Sequence, residues 1–135
     1  MNNVVAHLLD GQLVKGTTLD FEPGRPTCHV KTADRGMLEI HLSDLKALFF
    51  VKTLGGQPEQ KRSTAVAPGD SRQRGAHAVE LEFQDGERLA GLTAHYPPVR
   101  PFFFVLPADP SDNNIRILVN KAAVKAVREP AVKAH

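Results

Sequence analysis

Apolar and polar residues alternate with a period of two along most of this chain, as expected of strands that bury one face. Val4, Ala6 and Leu8 alternate with Val5, His7 and Leu9, and Val79, Leu81 and Phe83 alternate with Glu80, Glu82 and Gln84. The acidic partners in the second stretch identify its inward face, and by the same spacing that of the first. Asp10-Gly11 and Asp85-Gly86 follow directly, a pair that supplies the positive-φ residues of tight hairpins. Second strands are predicted over Leu13–Phe21 and Arg88–Tyr96. Each has a glycine at its middle, Gly16 or Gly91, where a strand bends sharply or bulges. Third strands at Thr27–Thr32 and Phe102–Leu106 and fourth strands at Leu38–Leu42 and Ile115–Val119 come next. A short turn then leads to fifth strands at Lys46–Lys52 and Lys125–Arg128.

The two halves of this pattern are copies. A shift of 75 residues lays residues 9–30 over residues 84–105 without a gap, with eight of 22 positions identical. These are Asp10/Asp85, Gly11/Gly86, Gly16/Gly91, Thr18/Thr93, Pro23/Pro98, Arg25/Arg100, Pro26/Pro101 and Val30/Val105. At a shift of 79, Leu45-Lys46-Ala47-Leu48 matches Val124-Lys125-Ala126-Val127, so the second copy carries its extra residues near Ala108–Asn114. Such a repeat sets the organisation of the whole chain. Residues 1–53 form a first small β-barrel, 54–77 a flexible basic linker, 78–128 a second small β-barrel and 129–135 a tail.

Five short, bent strands in about 50 residues fit a small, partly open barrel. The order of elements, with one helical turn before the last strand, looks like an Sm-like or Src-homology-type barrel. The chain as a whole resembles a bacterial family of domains of unknown function that carries a doubled D-G-x-x-x-x-G-x-T pattern, then P-x-R-P, then A-D-P-x-x-N-N. The matching residues are Asp10, Gly11, Gly16, Thr18, Pro23, Arg25, Pro26 and their second-copy partners, with Ala108, Asp109, Pro110, Asn113 and Asn114. The resemblance implies a mainly β fold of two tandem five-stranded barrels and brings no activity with it.

Composition narrows the function classes. No apolar run approaches the roughly 20 residues needed to cross a bilayer, and Met-Asn-Asn-Val-Val lacks the basic start and apolar core of a secretory signal. The expectation is a cytoplasmic protein without a membrane partner. A single cysteine, Cys28, excludes an internal disulfide and a thiolate metal cluster. The net charge of +2 has one source. Each copy balances six basic against six acidic residues, and the excess lies in the linker, where Lys61, Arg62, Arg72 and Arg74 face only Glu59 and Asp70. Any nucleic-acid or anion affinity is therefore expected at those four residues.

Candidate chemistry is sparse. Gly11-x-x-x-x-Gly16-Thr17-Thr18 has the glycine spacing of a phosphate loop, but Thr17 replaces the essential Lys and the context is a hairpin. Cys28 and His29 are neighbours in a strand, so their side chains point to opposite faces and form no local dyad. His7 and His41 approach each other only if their strands are adjacent. Arg62, Arg72 and Arg74 lack the spacing of a cyclic-dinucleotide arm. No cofactor and no metal are expected. Two features stand out as partner-binding candidates. Arg25 and Arg100 recur after a Pro loop and offer a planar fork to a carboxylate or phosphate, or else cover Phe21 and Tyr96 with their stems. Phe49-Phe50 and Phe102-Phe103-Phe104 must place rings on both faces of a strand, where the outer ones either join the two barrels or form a docking surface. The expectation is a non-enzymatic interaction or regulatory adaptor of a bacterial cytoplasmic signalling or motility-type system, with a protein partner and compatible with a homodimer. RNA binding by an Sm-like protein through the basic linker is the alternative, and PilZ-like binding of a nucleotide second messenger is the third and weaker one.

Overall fold

The computed structural model describes residues 2–22, 24–54, 75–94, 96, 98–109 and 113–129. The alternating segments all become strands. In the first copy they are β1 (Asn2–Leu8), β2 (Leu13–Thr18), β3 (Thr27–Lys31), β4 (Met37–His41) and β5 (Leu45–Val51), with a 3-10 turn at Leu42–Asp44. In the second they are β6 (His77–Phe83), β7 (Arg88–Thr93), β8 (Phe102–Pro107), β9 (Asn114–Asn120) and β10 (Val124–Arg128), with a 3-10 turn at Lys121–Ala123. Val4 and Ala6 face inward, as do Val79, Leu81 and Phe83. Gly11 and Gly86 adopt φ of 91° and 90° in the two hairpins, a backbone conformation that disfavours side chains.

The mid-strand glycines have a steric cause. A β-carbon on Gly16 would lie 2.2 Å from the Lys31 carbonyl oxygen, and one on Gly91 would lie 2.2 Å from that of Leu106. β2 therefore crosses close over β3, and β7 over β8. The ladder there is short: β2 pairs with β3 only at Thr17↔Lys31, and β7 with β8 at Gly91↔Pro107 and Leu92↔Leu106.

Each copy has the same internal strand order, last, first, second, third, fourth. Among the described residues the observed assembly is one unclosed antiparallel sheet of ten strands, ordered β10-β6-β7-β8-β9-β5-β1-β2-β3-β4. This differs from the expectation of two separate barrels packed through their outer rings. The last strand of the first copy pairs along its edge with the fourth strand of the second, from Ala47↔Val119 to Val51↔Asn114. Because side chains alternate across a strand, this one ladder feeds two cores. Leu45, Leu48 and Phe50 of β5 and Leu118 of β9 enter the first core; Ala47 of β5 and Ile117 and Val119 of β9 enter the second. Among the described residues no helix is long and apolar enough to cross a membrane. The linker 54–77 lies largely outside the described residues.

Gly16→Ala and Gly91→Ala should each destabilise the protein by at least about 1–3 kcal/mol, the usual penalty of overpacking against atoms that cannot yield. Gly24→Ala, with nothing within 4 Å of the new carbon, should be near neutral. Urea unfolding midpoints of the three variants check the contrast.

Candidate functional site

The phenylalanine runs lie at the junction between the copies. Phe50 is 2% exposed in the first core, and Phe102 and Phe104 reach across from β8 to pack on that same core. Phe103 faces the second core, with Phe49 packed against it from β5. Three rings form a connected cluster: Phe21 meets Phe50 edge-on at 5.1 Å between centroids, and Phe50 and Phe104 are 6.3 Å apart. The guanidinium of Arg116, on β9, sits 4.4 Å from the Phe50 centroid and 4.6 Å from that of Phe104. A cation held over two ring faces gains from both quadrupoles, and it ties the two copies together. Phe50 and Phe103 are buried, while Phe49, Phe102 and Phe104 are half-buried against the two cores.

Polar contacts reinforce the seam. Lys46 of β5 is only 9% exposed, and its Nζ lies 2.7 Å from Asp85 Oδ2 and 3.1 Å from Glu87 Oε1 on the β6–β7 hairpin. It also sits 4.8 Å above the Phe83 ring. Burial by itself would lower the Lys46 pKa, but hydrogen bonds to the two carboxylates raise it overall, so the ammonium stays charged. Asn120 donates from Nδ2 to the Leu45 carbonyl at 2.8 Å, and Asn113 donates to that of Thr53 at 2.9 Å. Alternation alone did not single out Arg116 or Lys46, because a cation in a strand ordinarily faces water. The available signal was position, each lying within a strand rich in apolar residues.

Arg25 and Arg100 occupy equivalent exposed loops. The proline after each is fixed to the one-turn helix of its copy: Leu42 N–H donates to the Pro26 carbonyl at 2.9 Å, and Lys121 N–H to that of Pro101 at 2.8 Å. Arg25 Nε contacts Glu22 at 3.1 Å, with both side chains largely in solvent. Beside Arg100 a shallow groove is lined by Val99, Pro101, Asn120, Lys121 and Ala122. Lys61, Arg62, Arg72 and Arg74, the candidate anion-binding residues, lie outside the described residues.

The histidines are not gathered. His7 on β1 is separated from His41 on β4 by two strands, which removes the pairing left open by the sequence. The His7 ring packs on Phe49 at 4.4 Å, and burial lowers its pKa. His29 belongs to an exposed polar cluster on the β3–β4 edge. Its backbone N–H donates to Asp20 Oδ1 at 2.8 Å, its Nδ1 lies 2.6 Å from Asp20 Oδ2, and its Nε2 lies 3.6 Å from Glu39. Glu39 in turn contacts His41 at 3.3 Å. Among the described residues no group of three or more His, Cys, Asp and Glu is arranged to hold a metal ion. Cys28 faces the first core, away from His29, and burial pushes its thiol up to about 11, with Asp20 adding to the effect.

A protein of this class is mainly β, two five-stranded copies joined edge to edge in a single sheet. The chain belongs to the family of unknown function DUF6982, whose model matches residues 1–130. No curated protein and no solved structure matches it at a significant level.

Two solution measurements follow from these side chains. Cys28 should resist thiol reagents in the native protein and react fully once the chain is unfolded, since the thiolate is the nucleophile and is disfavoured here; rapid labelling of native protein would contradict its placement. The backbone and ring of His29 hold the Asp20 carboxyl at about 2, and Asp20 raises the His29 pKa above its ordinary 6.5. His29 thus favours the fold fully below 6.5 and loses that contribution as pH rises through its raised value. Asp20 contributes above 3.8 and loses its share as pH falls towards 2. NMR titration should place the His29 midpoint above 6.5 in the native protein and bring it back down in Asp20→Asn.

Proposed function

We propose that this protein is a non-enzymatic interaction module of a bacterial cytoplasmic regulatory system, built from two Sm-like units. The Sm-like description is supported by the strand order shared by the two copies, the one-turn helix before each last strand, and the close crossing at Gly16 and Gly91. The observation that carries the interaction reading is the repeated Arg-Pro loop. Arg25 and Arg100 stand exposed at matching positions, each beside a proline held by the same backbone hydrogen bond. A guanidinium presented from an anchored loop loses little freedom on binding and suits a carboxylate fork. The partner in this reading is an acidic segment of another protein, with Val99 and Pro101 of the adjoining groove providing apolar contact.

The Phe residues have a different part in this reading: they hold the two units in fixed relation, so that both arginines are presented by one body. Affinity capture with the intact chain should return a stoichiometric partner. Arg25→Glu combined with Arg100→Glu should weaken its binding by about tenfold or more, as arginine anchors at interfaces do. Far-UV circular dichroism should be unchanged, because both side chains are exposed. Equal recovery by the wild-type and doubly substituted chains would refute the assignment of these loops.

A further inference from the structure

Among the described residues the sheet ends in two open edges, β4 at one side and β10 at the other. These are the same two kinds of edge that are already joined inside the chain. β9, which takes β5, is the fourth strand of its copy, as is β4; β5 is the last strand of its copy, as is β10. A second chain could in principle add its β10 to β4 as β5 adds to β9, and the addition could continue from chain to chain. Part of the internal seam is retained at the open edges. Lys125 occupies the place of Lys46, and Asp10 that of Asp85.

The apolar face is not retained. In the second copy Phe104 pairs with Leu118 across β8 and β9, and both pack on the first core. The equivalent cross-strand pair in the first copy is His29 with Glu39. Leu118 is 1% exposed, whereas the Glu39 side chain is 53% exposed and is bracketed by His29 and His41. Asn120, which ties the seam, is replaced by His41, and Arg116, which clamps the rings, by Met37. On the other edge, Glu129 stands where Phe50 stands. In the internal register Val127 of an incoming chain would lie opposite Glu39, where Leu48 lies opposite Leu118. Pairing would strip water from a carboxylate that has only an aliphatic neighbour on the new strand, and would bring Glu129 to the same face.

We propose that Asp20, His29, Glu39 and His41 guard the open β4 edge, so that the strand pairing made once within the chain is not repeated between chains. Charged side chains on an exposed edge are a general defence against strand addition. Here the second copy supplies the unguarded version of the same edge for comparison. The guard lies on the face that would become the seam, and its removal needs only the residues the second copy already uses.

The test restores those residues by the double substitution His29→Phe and Glu39→Leu. Light scattering after size-exclusion chromatography should give the wild type the mass of one chain, 14.7 kDa, from micromolar to near-millimolar concentration. The double variant should gain mass with concentration to at least threefold that value, because a head-to-tail contact makes rings or open chains and does not stop at two. Wild-type protein that already assembles beyond one chain, or a folded double variant that stays at the mass of one, would overturn the proposal. A double variant that stops at a dimer would overturn it also, since that outcome means β4 pairing with another β4. Should the double variant fail to fold, Glu39→Leu alone is read in the same way, its side chain being exposed.

Discussion

The pairing of β5 with β9 is the constraint on which the rest of the structure depends. A strand buried on both faces must be apolar at successive positions, and these two strands are: Leu48-Phe49-Phe50 in β5 and Ile117-Leu118-Val119 in β9. Each sends alternate side chains into different cores, so neither core is complete with its own copy alone. Leu118 is part of the first core and Ala47 part of the second. A unit of about 50 residues buries little apolar surface by itself, and sharing a two-strand seam enlarges both cores at once. The Arg116 clamp and the Lys46 ion pairs then favour a single register in this seam, because a slip of one residue turns the slipped strand's side chains to the opposite face and parts Arg116 from the Phe50 ring.

What the copies share and what they do not share have different physical origins. The shared residues solve local backbone problems: positive φ in the hairpins at Gly11 and Gly86, close strand crossings at Gly16 and Gly91, and loop anchoring at Pro26 and Pro101. Each copy must meet these demands wherever it sits in the sheet. The residues that differ lie where the copies have unlike neighbours. Phe104 and Leu118 meet the core of the other copy, while His29 and Glu39 meet water. Divergence after duplication thus follows position in the sheet, with the inner fourth strand turned apolar and the outer one charged.

Much of this was legible in the sequence. Period-two alternation located all ten strands within a residue or two at most boundaries, except that β2 and β7 end at Thr18 and Thr93, earlier than the pattern suggests. Past those points the chain leaves the sheet for the loops around Asp20 and Tyr96. The duplication was legible because turn residues are irreplaceable at positions of unusual backbone geometry. The seam was not, because which edge a last strand joins is a long-range choice that local pattern does not encode. A barrel closes if the last strand meets its own fourth strand. Here β5 meets β9 instead, and its trace in the sequence was the run of successive apolar residues in each strand, Leu48-Phe49-Phe50 and Ile117-Leu118-Val119. Arg116 and Lys46 stayed hidden for the same reason: a cation becomes structural only when rings or carboxylates arrive from a distant part of the chain.

The seam also bears on how the molecule can act. Among the described residues no group of three or more His, Cys, Asp and Glu is placed to hold a metal ion, and several polar side chains, Lys46, Asn113 and Asn120 among them, hold the copies together. Under the proposed function, the repeated exposed feature that makes contact is the pair of Arg-Pro loops. Two copies of one contact carried on a shared sheet have a fixed separation, so engagement of the first raises the effective concentration of the second for a partner whose sites match that spacing. Two independent units on a flexible link would offer the same residues without that geometric selection. Under the proposed function, a continuous sheet in place of two free barrels selects a partner by the spacing of its sites, and the β5–β9 pairing fixes that spacing.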